Sequence, residues 1–134
     1  MIAGRCLCGA VRYRISGAPL AFYHCHCAQC RRASGASFAT NLLVRSEQLE
    51  LTAGGDALAG FESSPGKRRH FCSRCGSPIF SADAKTPQLR SVRSGTLDAD
   101  PGLRPSAHFH VASKAPWVEI HDELPRSPRG PGES

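Results

Sequence analysis

The sequence predicts a small, mainly β domain with at most short helical turns, and three observations carry that expectation. Short apolar segments recur at spacings of about ten residues, with turn residues between them. Glycine and proline number 13 and 10 of 134 residues while apolar residues reach only 40%, so the core is thin and the chain turns often. Seven cysteines fall into three tight clusters, which implies a fold held partly by something other than apolar burial.

The elements follow in order. Val11-Arg12-Tyr13-Arg14-Ile15 alternates apolar and basic residues, the pattern of a half-buried strand, and Gly17-Ala18-Pro19 ends it. Phe38 to Val44, Gln48 to Thr52 and Ala57 to Glu62 are further strand candidates. Ser63-Ser64-Pro65-Gly66 marks a turn, and Arg68 to Cys72 is the expected returning strand of that hairpin. Pro78-Ile79-Phe80, Leu89 to Arg93, His108 to Val111 and Trp117 to Ile120 supply shorter segments, with Trp117 expected in the core. Only Cys27 to Ala33 reads as helix. Residues 125–134 carry no apolar side chain other than proline and are expected to be a disordered tail, which leaves one domain over residues 1–124.

No apolar run approaches the ~18–20 residues of a membrane span. The start, Met1 to Cys6, lacks the apolar stretch of a secretion signal, so the expected compartment is the reducing cytoplasm, where structural disulfides are rare. An odd number of cysteines would also strand one thiol in a disulfide framework. Metal binding is the remaining task for them.

Cys6-Leu7-Cys8-Gly9 and Cys72-Ser73-Arg74-Cys75-Gly76 each offer two sulfurs followed by a glycine. Paired, they make a closed four-thiolate site of the structural zinc type, though four thiolates also suit iron. The bland alternative is a pair of buried thiols behaving as small hydrophobes. Cys25, Cys27 and Cys30 offer three ligands within one short stretch. Three protein ligands and an open position distinguish catalytic from structural zinc. The alternative is closure by His24, His26 or a distant residue. Strand alternation turns both histidines away from the cysteines, which disfavours the first two.

The string Gly4-x-Cys6-x-Cys8-Gly9-x-Val11, then Cys25-His26-Cys27-x-x-Cys30-Arg31, then Phe71-Cys72-x-x-Cys75-Gly76 resembles the glutathione-dependent formaldehyde-activating (GFA, or CENP-V–GFA domain) family. Gly95-Thr96-Leu97-Asp98, His108 and Ala115-Pro116-Trp117 extend the resemblance to about residue 124. It implies an Mss4-like, or β-tent, fold. It also implies two zinc ions, one on Cys6, Cys8, Cys72 and Cys75 and one on Cys25, Cys27 and Cys30, the partition that the spacing indicates by itself. The implied activity is that of a carbon–sulfur lyase, joining a glutathione-like thiol to formaldehyde or a similar small aldehyde, or reversing that step.

Arg31 and Arg32, directly after Cys30, are candidates for capturing a substrate carboxylate, against the plainer role of a solvated face or a thiolate counter-charge. Ser34 and Gly35 are candidates for lining the same pocket. Alternation across Phe109 places His108 and His110 on one side, and either is a candidate acid–base group or a structural histidine. The competing class is a non-catalytic zinc module that binds protein or nucleic acid. The formal charge of +6 and Lys67-Arg68-Arg69 point weakly toward nucleic acid. Interleaved aromatics and a recognition helix are both lacking, and seven thiolates on two zinc ions would lower the charge to about +3.

Overall fold

The computed structural model describes residues 1–131. Its strands, in chain order, are β1 (Ile2–Arg5), β2 (Arg12–Ile15), β3 (Ala21–Cys25), β4 (Ala39–Arg45), β5 (Leu49–Ala53), β6 (Leu58–Ser64), β7 (Lys67–Cys72), β8 (Pro78–Asp83), β9 (Leu89–Arg93) and β10 (His108–Phe109). One α-helix, α1 (Ala28–Ser34), and short 3-10 turns complete the chain. The expected mainly β class is therefore what is found. β1 and β3 add to the strands that the sequence predicts. Gly4 interrupts the first, and Ala21-Phe22-Tyr23-His24-Cys25 lacks apolar–polar alternation.

The strands form two sheets. A three-stranded sheet runs β1-β2-β5, and a seven-stranded sheet runs β10-β3-β4-β9-β8-β7-β6. All strand pairs are antiparallel except β10 with β3. The core lies between the sheets. Tyr13 and Ile15 of β2 meet Leu42 and Val44 of β4, Val92 of β9 and Ile79 of β8, with Cys6 and Cys72 in the same cluster. Because side chains alternate along a strand, the residues between these core positions point the other way. The outer face of the large sheet therefore carries Tyr23, Asn41, Ser91 and Arg93, and the register sets Tyr23 beside Asn41 and Asn41 beside Arg93. The same face continues through Ser81, paired with Ser91 and with Arg69. This polar outer face lines the cavity that Cys25, Cys27 and Cys30 share.

Three expectations change. Residues 125–129 lie against β10 and the turn after it: the His108 N–H donates to the Pro125 carbonyl, the Ser127 N–H to His108, and the His110 N–H to Arg129. Backbone pairing orders this segment without apolar side chains, which is why composition misreads it; residues 132–134 of the expected tail lie outside the described residues. Trp117 is 70% exposed and is no part of the core. The stretch from Trp117 to Ile120 forms turn and irregular chain rather than a strand.

Candidate metal centres and the cavity beside them

The turn between β1 and β2 presents Cys6 and Cys8, and the end of β7 and the turn after it present Cys72 and Cys75. Their four sulfurs lie within 4.8 Å of one another. Gly9 and Gly76 both take φ +79°, a left-handed conformation that lets each loop curl tightly after its second cysteine. The Gly9 N–H then reaches the Cys6 carbonyl and the Gly76 N–H the Cys72 carbonyl. The Val11 N–H donates to Cys6 Sγ at 3.2 Å, the kind of contact that stabilises a thiolate. Sulfur separations of 3.6 Å for Cys6–Cys8 and 3.8 Å for Cys8–Cys72 suit a metal. A tetrahedron with ~2.3 Å metal–sulfur bonds has edges of about 3.8 Å. The cluster links the small sheet to the large one.

The second cluster is Cys25, Cys27 and Cys30, also within 4.8 Å. Cys25 ends β3, Cys27 is the N-cap of α1 and accepts the Cys30 N–H at 3.2 Å, and Cys30 is the buried residue of the helix. The helix closes on Gly35 in the left-handed region. No histidine or carboxylate completes this cluster among the described residues, so its donor set is three thiolates with room for another ligand. That set fits a soft or borderline metal held with an open position.

The three cysteines face a cavity of about 380 Å³ whose wall includes Lys67, Arg69, Arg93, Asn41, Ser81 and His110. Both Arg69 Nη atoms lie 3.9 Å from Cys30 Sγ, while its Nε donates to Ser63. Arg93 is 6% exposed and donates from Nη1 to Asn41 Oδ1. Taken as a thiol, Cys30 is pulled well below the ordinary thiol range by hydrogen bonds from Cys25 and Cys27 and by the Arg69 and Arg93 charges. Cys25 is pushed far up as the partner that keeps its proton.

The predicted substrate contacts are arranged differently. Arg31 and Arg32 line a separate surface recess with Gly35, Ser37 and Trp117, so neither faces the three thiolates. Ser34 lines another cavity with Phe38 and Thr40. The guanidinium groups at the cysteines are those of Arg69 and Arg93, far away in sequence and brought in by strand pairing.

His108 and His110 do not share a side. His110 takes φ +58°, which breaks the alternation and turns it to the cavity wall. His108 is 3% exposed on the opposite face. Its Nε2 donates to Asp122 at 3.0 Å, and its Nδ1 shares a hydrogen bond of 2.9 Å with His26 Nε2. His26 Nδ1 is buried with no partner among the described residues. Burial, then the neighbouring His108, His24 and Lys114 charges, pull the His26 pKa down to about 4, in keeping with a neutral ring. His24 bonds Thr40 at 2.8 Å. Both rings point away from the sulfurs, as strand alternation predicts.

A family profile for the glutathione-dependent formaldehyde-activating enzyme matches residues 1–113. A Halomonas elongata protein named for that family is 37% identical over 128 residues, covering 90% of this chain and 81% of its own. A Fusarium vanettenii protein named likewise is 31% identical over 78 residues, 57% of this chain and 42% of the fungal one. A solved structure of a Rhodobacter sphaeroides protein superposes with a TM-score of 0.62 at 24% identity, covering 75% of this chain and 92% of that one, which supports the fold. None of the described helices is long and apolar enough to cross a membrane. With the profile spanning most of its length, and with both cysteine clusters assembled, this chain belongs to the glutathione-dependent formaldehyde-activating enzyme family.

Proposed function

We propose that this protein is a zinc-dependent carbon–sulfur lyase that makes or breaks the C–S bond between a glutathione-like thiol and a small aldehyde such as formaldehyde. The observation that carries the reading is the three-cysteine cluster facing a cavity walled by Lys67, Arg69 and Arg93. Zinc on Cys25, Cys27 and Cys30 would supply a Lewis acid and a place for a thiol to bind as thiolate. A second zinc on Cys6, Cys8, Cys72 and Cys75 would serve the fold.

The chain's own residues supply the remainder. Lys67 and Arg69 give an anionic thiol its charge partners, in place of Arg31 and Arg32. Arg69, anchored on Ser63, also balances the thiolate charge at Cys30. His108 acts indirectly, holding His26 and hence the ligand-bearing turn through the hydrogen bond to Asp122. His110 lines the cavity and can move a proton there. The protein works on this reading in the cytoplasm, where free thiols persist.

The test is adduct formation and cleavage across a panel of thiols and aldehydes, with wild type and Cys27→Ser. Wild type is expected to accelerate the reaction with at least one pair and the variant to lose it. Equal rates in both would refute the proposal.

A further inference from the structure

The outer face of the large sheet carries buried polar groups that metal ligation leaves unexplained. Asn41, Ser81 and Arg93 are 3%, 2% and 6% exposed, and all three line the cavity that Cys25, Cys27 and Cys30 face. Their hydrogen bonding is sparse. Arg93 Nη1 reaches Asn41 Oδ1, and Ser81 Oγ has no partner among the described residues. No carboxylate pairs with Arg93 among the described residues. A guanidinium buried without one is costly, and its Nε and Nη2 groups remain for whatever fills the cavities it lines.

Charge gives the second half of the argument. Three thiolates around a divalent zinc leave one negative charge. Lys67, Arg69 and Arg93 against Asp83 outweigh it, so the loaded cavity holds one positive charge in excess. One bound thiolate balances that excess. During addition the sulfur–carbon bond forms, the C=O π pair moves onto oxygen, and the oxygen takes up the proton that the thiol gave up. The negative charge thus travels from sulfur to oxygen, and a donor is needed where it arrives.

We propose that Arg93 is a catalytic residue, held in position by Asn41, that hydrogen-bonds the aldehyde oxygen as it becomes an alkoxide and the hydroxyl of the finished adduct. The inference rests on the lyase reading above. It assigns the polar row of Asn41, Ser81 and Arg93 on the cavity wall to the oxygen end of the substrate, leaving Lys67 and Arg69 for the anionic end of the thiol.

The experiment has two arms, each with wild type, Arg93→Lys and Asn41→Ser. In the first, turnover of formaldehyde with glutathione is measured. Arg93→Lys keeps the charge but loses the fork, and its kcat is expected to fall about 100-fold with the thiol KM within about threefold. Asn41→Ser, which frees the guanidinium and leaves it in place, is expected to lose a smaller part. In the second, 2-mercaptoethanol and ethanethiol are titrated into the cobalt(II)-loaded proteins and binding is read from the sulfur-to-cobalt absorption band. Wild type is expected to prefer the hydroxylated thiol by about tenfold or more, and Arg93→Lys to show no preference.

A wild type with no hydroxyl preference, or an Arg93→Lys protein that keeps both kcat and preference, overturns the assignment and reduces Arg93 to a charge balance. A wild type that turns over no aldehyde yet shows an Arg93-dependent preference overturns the lyase reading and supports the oxygen site. Should Arg93→Lys fail to fold, the Asn41→Ser protein decides by the same two readouts.

Discussion

The two cysteine clusters sit in unlike surroundings, and replacing one cysteine in each should separate their roles. Cys72 is fully buried and belongs to the main core with Tyr13, Ile15, Leu42 and Val92. Cys27 is half-buried and belongs to a small satellite of Cys25, Cys30 and Ala39. A structural zinc site contributes about 10–16 kcal/mol apparent, comparable with the ~5–15 kcal/mol net stability of a whole domain. Cys72→Ser removes a ligand from inside the core and leaves the buried Cys6 beside it in a broken ligand set, so the protein should unfold or lose most of its stability at 25 °C. Cys27→Ser keeps an oxygen at the helix N-cap to accept the Cys30 N–H. The cap change itself should cost about 1 kcal/mol, and the loss of the bound ion adds to it by mass action, the total staying well below the Cys72→Ser loss. Thermal melts by circular dichroism, with zinc counted in each sample, give the comparison: two ions per chain in wild type and one in folded Cys27→Ser. Equal destabilisation by the two replacements would refute the division into a fold-bearing and a reaction-bearing cluster.

Three further outcomes follow from the geometry. Gly54 sits at φ +82°, and a Cβ there would lie 2.1 Å from the Ala10 carbonyl oxygen, so Gly54→Ala should cost about 2 kcal/mol or more in urea unfolding. Burial raises both tyrosines, Tyr13 to about 12. Their contribution to stability is therefore complete below the unfolded value near ~10 and is lost as pH climbs toward 12. Absorbance at alkaline pH should show little tyrosinate at pH 10 in the native protein and half-ionisation there in urea; half-ionisation in both would contradict the burial. Removing residues 125–134 deletes the carbonyls that accept the His108, His110, Val111 and Ala112 N–H groups. Hydrogen exchange at those amides should accelerate by at least tenfold while exchange in β4 and β9 stays unchanged.

How much of this was legible in the sequence depends on how local each signal is. The cysteine partition was legible because ligand spacing and the following glycines are properties of a few adjacent residues. β4, β7 and β9 were legible from compact segments with clear ends, within a residue or two. The arginines at the thiolates were not. Arg69 reaches Cys30 through the β7–β8–β9 pairings, and Arg93 is placed by its register opposite Asn41. Registers follow from global pairing that no short window contains. Alternation along Lys67-Arg68-Arg69 was the available hint, since it sends Lys67 and Arg69 to one face. The same rule failed at His110, where a left-handed backbone reverses the direction of a single side chain. Composition failed at residues 125–129 because backbone hydrogen bonds leave no trace in side-chain hydropathy.

The four-sulfur cluster that links the sheets also sets a schedule for synthesis. Its ligands lie at both ends of a long segment, from Cys6 to Cys75. At about 5–20 residues per second, the first pair emerges some 3–14 s before its partners. During that interval Cys6 and Cys8 are two free thiols without the other half of their cluster. On the zinc reading proposed above, loading that pair through a passing carrier, or keeping it reduced until Cys72 and Cys75 arrive, precedes folding. Expression yield should therefore respond to zinc supply and to oxidants during translation more sharply than the purified protein does afterwards.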